Sequence, residues 1–125
     1  VLTIAAFGFA AYGLHQVGVG LDSMARGSAL ETWAAVALTV FGTLLIISAI
    51  ILRLRMPGAL QAGLGSLLGL QALALHNAVH LSSSPGDPGP HLIRGALAAA
   101  LFGLAWAGER HASASAARAG PREPK

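Results

Sequence analysis

Cysteine is absent from the 125 residues, so disulfides, iron–sulfur clusters and thiolate metal sites are not open to this chain. Charge is scarce. Asp, Glu, Lys and Arg make up 10% of the sequence, against about 25% in ordinary soluble domains. With 54% hydrophobic residues and a mean hydropathy of +0.65, that balance excludes a disordered chain, a nucleic-acid module and almost any soluble enzyme. The isoelectric point near 10.7 does not signal nucleic acid. Half of the basic residues, Arg110, Arg118, Arg122 and Lys125, lie in the last sixteen positions. There is no Ser/His/Asp set, no paired carboxylates and no phosphate loop; Gly63-Leu-Gly65-Ser-Leu-Leu-Gly69 is one residue too long for G-x-G-x-x-G and follows no strand. Nothing points to an enzyme.

What the sequence has is long uncharged runs. None of Val1–Leu21, Thr32–Leu52 or Met56–Gly86 contains Asp, Glu, Lys or Arg, and fourteen uncharged residues follow Arg94. A helix needs about 20 apolar residues to cross the hydrocarbon core, and an arginine in a first turn can snorkel to the headgroups. The expected fold is an all-α four-helix transmembrane bundle in a domain over residues 1–110, with spans near 1–21, 30–53, 57–81 and 90–109. A basic tail, 111–125, follows as a frayed helix end and then disorder. Punctuation agrees: Ser28-Ala-Leu-Glu31 reads as a capping box, Pro57-Gly58 as a helix start, and Ser82–Pro90 as a stiff polar loop. The first run is read as a span and not a signal peptide, because it lacks a charged leader and carries Tyr12, His15 and Gln16.

Four spans put the N-terminus, the second loop and the tail on one side, with Arg53, Arg55, Arg110, Arg118, Arg122 and Lys125. The other side holds only Arg26 and Arg94. The positive-inside rule then predicts cytoplasmic termini and a multi-pass protein of the inner cell membrane, its basic tail attracted to anionic lipid. Trp33 and Trp106 fall at headgroup depth, and Thr39, Thr43 and Ser48 are expected to bond back to their own helix.

This orientation gathers histidines. His76 and His80 lie about 28 and 34 Å along the third span, His15 in the outer third of the first, and His91 at the start of the fourth. Only His111 falls on the other side. Gly65, Gly69, Ala72, His76 and His80 step by four, three, four and four, one helical face, and Gly65-x-x-x-Gly69 is a spacing that lets helices approach closely in lipid. That face is expected to turn into the bundle toward Gly8, Tyr12 and His15. Imidazoles at i and i+4 suit hydrogen bonding within the bundle, a divalent metal (Zn, Cu or Fe) held by His76, His80, His15 and His91, or a haem taken axially by His15, His76 or His80. The Ala72-x-x-x-His76 spacing is similar to that of bacterial light-harvesting helices, where the small residue makes room for a bacteriochlorophyll ring.

The stretch from Gly65 to Leu81 resembles one helix of a family of small, mainly actinobacterial four-helix membrane proteins of unknown function, which carry a His-Asn-x-Val-His-Leu signature after a Gly- and Leu-rich run. His76, Asn77, Val79, His80 and Leu81 are the matching positions. The sequence departs after Leu81, where Ser82–Pro90 replaces apolar residues. The resemblance implies four helices and a polar pair on one helix face.

Two functions are consistent with these residues. One is an accessory or structural subunit docking a larger membrane complex, respiratory or photosynthetic, or another copy of itself. The other is a metal- or haem-binding membrane protein built on the histidine cluster. The expected partners are the lipid bilayer and other membrane subunits or the chain itself, with no nucleic acid.

Overall fold

A computed structural model describes residues 1–27, 31–81 and 89–118. They form four helices: α1 (Leu2–Arg26), α2 (Thr32–Arg53), α3 (Ala59–Leu81) and α4 (Gly89–Arg118), with no strand among the described residues. Each is long and apolar enough to cross a membrane, the fold of a multi-pass membrane protein. Large side chains sit on the outside: Phe7, Leu14, Leu68, Val79 and Ile93 are all more than half exposed, while Ala, Gly, Ser and Leu dominate the interior. A water-soluble bundle has the reverse pattern; lipid removes the drive to bury bulk and leaves close packing to decide the interior.

Neighbours run antiparallel in a ring, α1–α2–α3–α4, and the diagonal pairs barely touch. The closest approach is between α1 and α2. A Cβ on Gly13 would fall 2.6 Å from the carbonyl oxygen of Gly42, and one on Gly42 would fall 2.8 Å from that of Gly13. One heptad on, a Cβ at Gly20 would lie 2.7 Å from the Ala35 oxygen. In the same register Ala6 falls opposite Ala49, both buried. Small residues seven apart on each helix thus bring two backbones into contact. Elsewhere a glycine is a socket for a large side chain: Leu101 fills the space at Gly8, Phe41 that at Gly69, and the fully buried Phe9 reaches across the bundle to Gly63.

The helix ends differ from expectation in three places. Glu31, expected at N3 of a capping box, is itself the N-cap of α2, with no side-chain cap; its carboxylate accepts a hydrogen bond from the Trp33 indole N–H, and Ser28 lies outside the described residues. Gly58, at φ 91°, accepts the first bond of α3 from the Ala62 N–H, so Pro57 precedes the helix. Finally, α4 runs through His111 to Arg118, where a frayed tail was expected. Its last turns are alanine-rich, and Ser113 and Ser115 donate to the carbonyls of Glu109 and His111. Residues 119–125 and the 82–88 loop lie outside the description. The expected back-bonds are present: Thr39, Thr43 and Ser48 donate to the carbonyls of Ala35, Thr39 and Leu44 at 3.0, 2.7 and 2.8 Å.

Among the described residues one non-glycine, Arg55, holds a positive φ of 57°. It occupies the left-handed position after α2, where the Arg55 N–H donates to Leu52 and the Met56 N–H to Ile51, the paired bonds of a Schellman end that glycine usually serves.

Candidate functional site

At the end where α1 and α3 finish, polar groups collect. Asp22 and Arg26 form an ion pair at 2.6 Å, one turn apart and exposed. Trp33 meets His76 edge to face, with ring centroids 4.9 Å apart at 68°, and His76 stacks on His80 at 4.1 Å and 22°. The His80 Nδ1 lies 3.0 Å from the His76 carbonyl oxygen. A ring nitrogen facing an acceptor carries the proton, so in the neutral tautomer of His80 the Nε2 is the lone-pair nitrogen.

This geometry separates the residues that chain position grouped together. His76 is half-buried and turned toward α2, and His80 is exposed. Their planes are nearly parallel. An ion bound by both would have to lie in each ring plane at about 2.0–2.1 Å, which two stacked rings do not allow in this arrangement. Through the α1–α2 and α2–α3 pairings His76 is level with Asp22, leaving His15 exposed about 10 Å toward the opposite end, on the diagonal helix. His91 lies in the first turn of α4, one turn before Gly95, with its Nδ1 buried, and it is not among the residues around His76. Among the described residues no three His, Asp or Glu are grouped to hold a metal.

The glycine face of α3 is also divided. Gly69 takes the ring of Phe41, but a Cβ at Gly65 would meet nothing within 4 Å, and Ala72 is exposed. Gly8, expected to receive this face, packs against Leu101 of α4. The contact expected between α1 and α3 along this stripe is therefore not made: the two helices sit at opposite corners of the ring. A groove of about 290 Å³ between α2 and α3 is lined by Trp33, Phe41, Gly69, Ala72 and His76.

The other end is basic. Arg53, Arg55, Arg110 and Arg118 cluster where α2 and α4 finish, none of them in an ion pair among the described residues, and Arg110 lies over the Trp106 ring at 4.0 Å from its centroid. Two polar side chains that the sequence reading did not count as site residues lie in the bundle. Gln16 is 7% exposed and Gln71 half-buried, and neither amide makes a hydrogen bond among the described residues. The signal was available: each is an amide inside an otherwise apolar run. No protein family, curated protein or solved structure matches the chain.

Proposed function

We propose that this protein is a small, non-catalytic subunit of the inner cell membrane, with both termini cytoplasmic, that associates through the lipid-facing side of α3 with a larger membrane complex or a second copy. Gly65 carries the reading. A glycine inside a helix costs about 0.5–1 kcal/mol relative to alanine. Gly13, Gly42 and Gly69 offset that with a close neighbour, but Gly65, like Gly18 on α1 and Gly103 on α4, has none within the described chain. Its benefit lies in a contact outside the chain, on a face shared with exposed Leu68, Ala72 and Val79. The basic cluster at one end supports the orientation, and kinship with the small actinobacterial family belongs to the same proposal.

The test is Gly65→Leu, compared in mild detergent and in bilayers by resonance energy transfer and by co-purification. Loss of self-association or of co-purifying subunits, with an unchanged helical spectrum, is expected. An unaltered association profile would refute the role of this face.

One observation favours a second reading, a haem or metal ligand. The His80 Nδ1 bond to a carbonyl is the arrangement that orients a ligating imidazole and leaves Nε2 free. It favours a single-histidine axial ligand over a chelate of His76 with His80. A Soret band or stoichiometric metal in the same preparation, abolished by His80→Ala, is its signature.

A further inference from the structure

The turn that ends α2 stores strain at a charged residue. Arg55 holds the left-handed position, φ 57°, that glycine fills without steric cost. A Cβ is disfavoured there, and the side chains that tolerate it are Asn and Asp, not arginine. An exposed arginine is satisfied by water, so its side chain alone calls for no partner. The backbone beneath it does call for a reason, and strained backbone concentrates where a ligand is held.

Two clefts adjoin Arg55, one on each flank of the last turns of α4. The first, of about 380 Å³, is lined by Leu2, Leu52, Met56 and Glu109. The second, of about 570 Å³, is lined by Thr3, Gly108, His111 and Ser115. Arg55, Leu2 and Ala112 line both.

Depth and charge restrict the occupant. Gly108 is about 28 Å along α4 from Gly89, and Arg55 directly follows the 22-residue α2. The clefts therefore lie where about 30 Å of hydrocarbon gives way to headgroups, the level that Arg110 over Trp106 also marks. Among the described residues this end carries Arg53, Arg55, Arg110 and Arg118 against one carboxylate, Glu109, which forms no ion pair. No carboxylate lines the second cleft. Its donors are the Arg55 guanidinium, whose parallel N–H bonds match two phosphate oxygens, and the N–H that His111 carries in either tautomer. The Ser115 hydroxyl is already committed, donating to the His111 carbonyl at 2.9 Å. Next to these residues in the chain, Ile4, Leu54 and Met56 are more than half exposed. A soluble phosphate has no use for that apolar rim, whereas acyl chains do.

We propose that the Arg55 clefts bind the phosphate of an anionic phospholipid, held by the Arg55 guanidinium and His111 in the cleft free of carboxylate. The acyl chains run over the exposed apolar residues beside it. Glu109, lining the opposite cleft, is the competitor for the same guanidinium. This is a defined site, beyond the general attraction of a basic end for acidic membranes, and it does not use the α3 face bearing Gly65.

The experiment titrates the full chain in detergent with phosphatidylglycerol and, separately, with phosphatidylcholine of the same acyl chains, and counts bound lipid by native mass spectrometry. One tightly held phosphatidylglycerol per chain is expected, preferred roughly tenfold over phosphatidylcholine, whose choline cation would meet the arginines. Arg55→Gly removes the fork and relieves the strain together. Retention should fall roughly tenfold, while the melting temperature measured without added lipid holds or rises. Arg53→Gln removes the same charge two residues away, outside both clefts, and should change retention less than about twofold. Glu109→Gln should tighten binding. Equal affinity for the two lipids, equal losses from Arg53→Gln and Arg55→Gly, or weaker binding in Glu109→Gln would each overturn the proposal. A further arm adds inorganic phosphate at about 10 mM, which should leave the lipid bound; displacement would make the ligand a soluble phosphate and overturn the lipid assignment.

Discussion

The α1–α2 and α3–α4 seams each join two antiparallel apolar helices, yet one is sealed backbone to backbone and the other holds a groove. On α1 and α2 the small residues recur every seven positions and meet in register, Gly13 against Gly42 and Gly20 against Ala35. On α3 the three glycines divide between neighbours, Gly63 toward Phe9 of α1, Gly69 toward Phe41 of α2 and Gly65 toward open surface, while Leu64, Leu68 and Gln71 line the gap to α4. What separates the seams is whether a small residue finds another small residue opposite it. Lipid offers no hydrophobic drive to close a seam that lacks such pairs.

That contrast can be broken most severely at the sealed seam. Gly42→Leu drives a side chain into the Gly13 oxygen and the Val17 backbone, and should cost about 3 kcal/mol or more, read as loss of the folded bundle in reversible unfolding in mixed micelles. Gly20→Ala adds one methyl against the Ala35 oxygen and Thr39. It should cost about 1–2 kcal/mol by the same measurement, although alanine is the better helix former. The smallest effect belongs to the open seam: Ala99→Leu has exposed space to enter and should stay within about 0.5 kcal/mol of the wild type. A cost at Ala99 equal to that at Gly20 would remove the distinction between the seams.

Much of this architecture was legible in residue order. The uncharged runs become helices because hydropathy over 20 residues is a local sum, and Thr39, Thr43 and Ser48 bond back because their acceptors are one turn away on their own helix. The candidate site was less legible. Distance along a helix placed His15, His76, His80 and His91 in one tier, but depth carries no information about which seam a side chain faces. His76 turns to Trp33, the His91 Nδ1 is buried at the start of α4, and His15 is exposed. The heptad of Ala6, Gly13 and Gly20 was present in the sequence too, yet it has meaning only against Ala35, Gly42 and Ala49 of the partner helix.

Sequence alone determined that there are four apolar helices, that their interiors are built from small residues, and that one end is basic, because each depends on residues within a few turns of one another. The tertiary structure decided which glycines meet a backbone, which receive an aromatic ring and which face outward. It also left Gln16, Gln71 and the His91 Nδ1 without hydrogen-bond partners among the described residues, while stacking His76 on His80. Those outcomes depend on the rotation and register of one helix against another, which the chain settles only when all four pack at once.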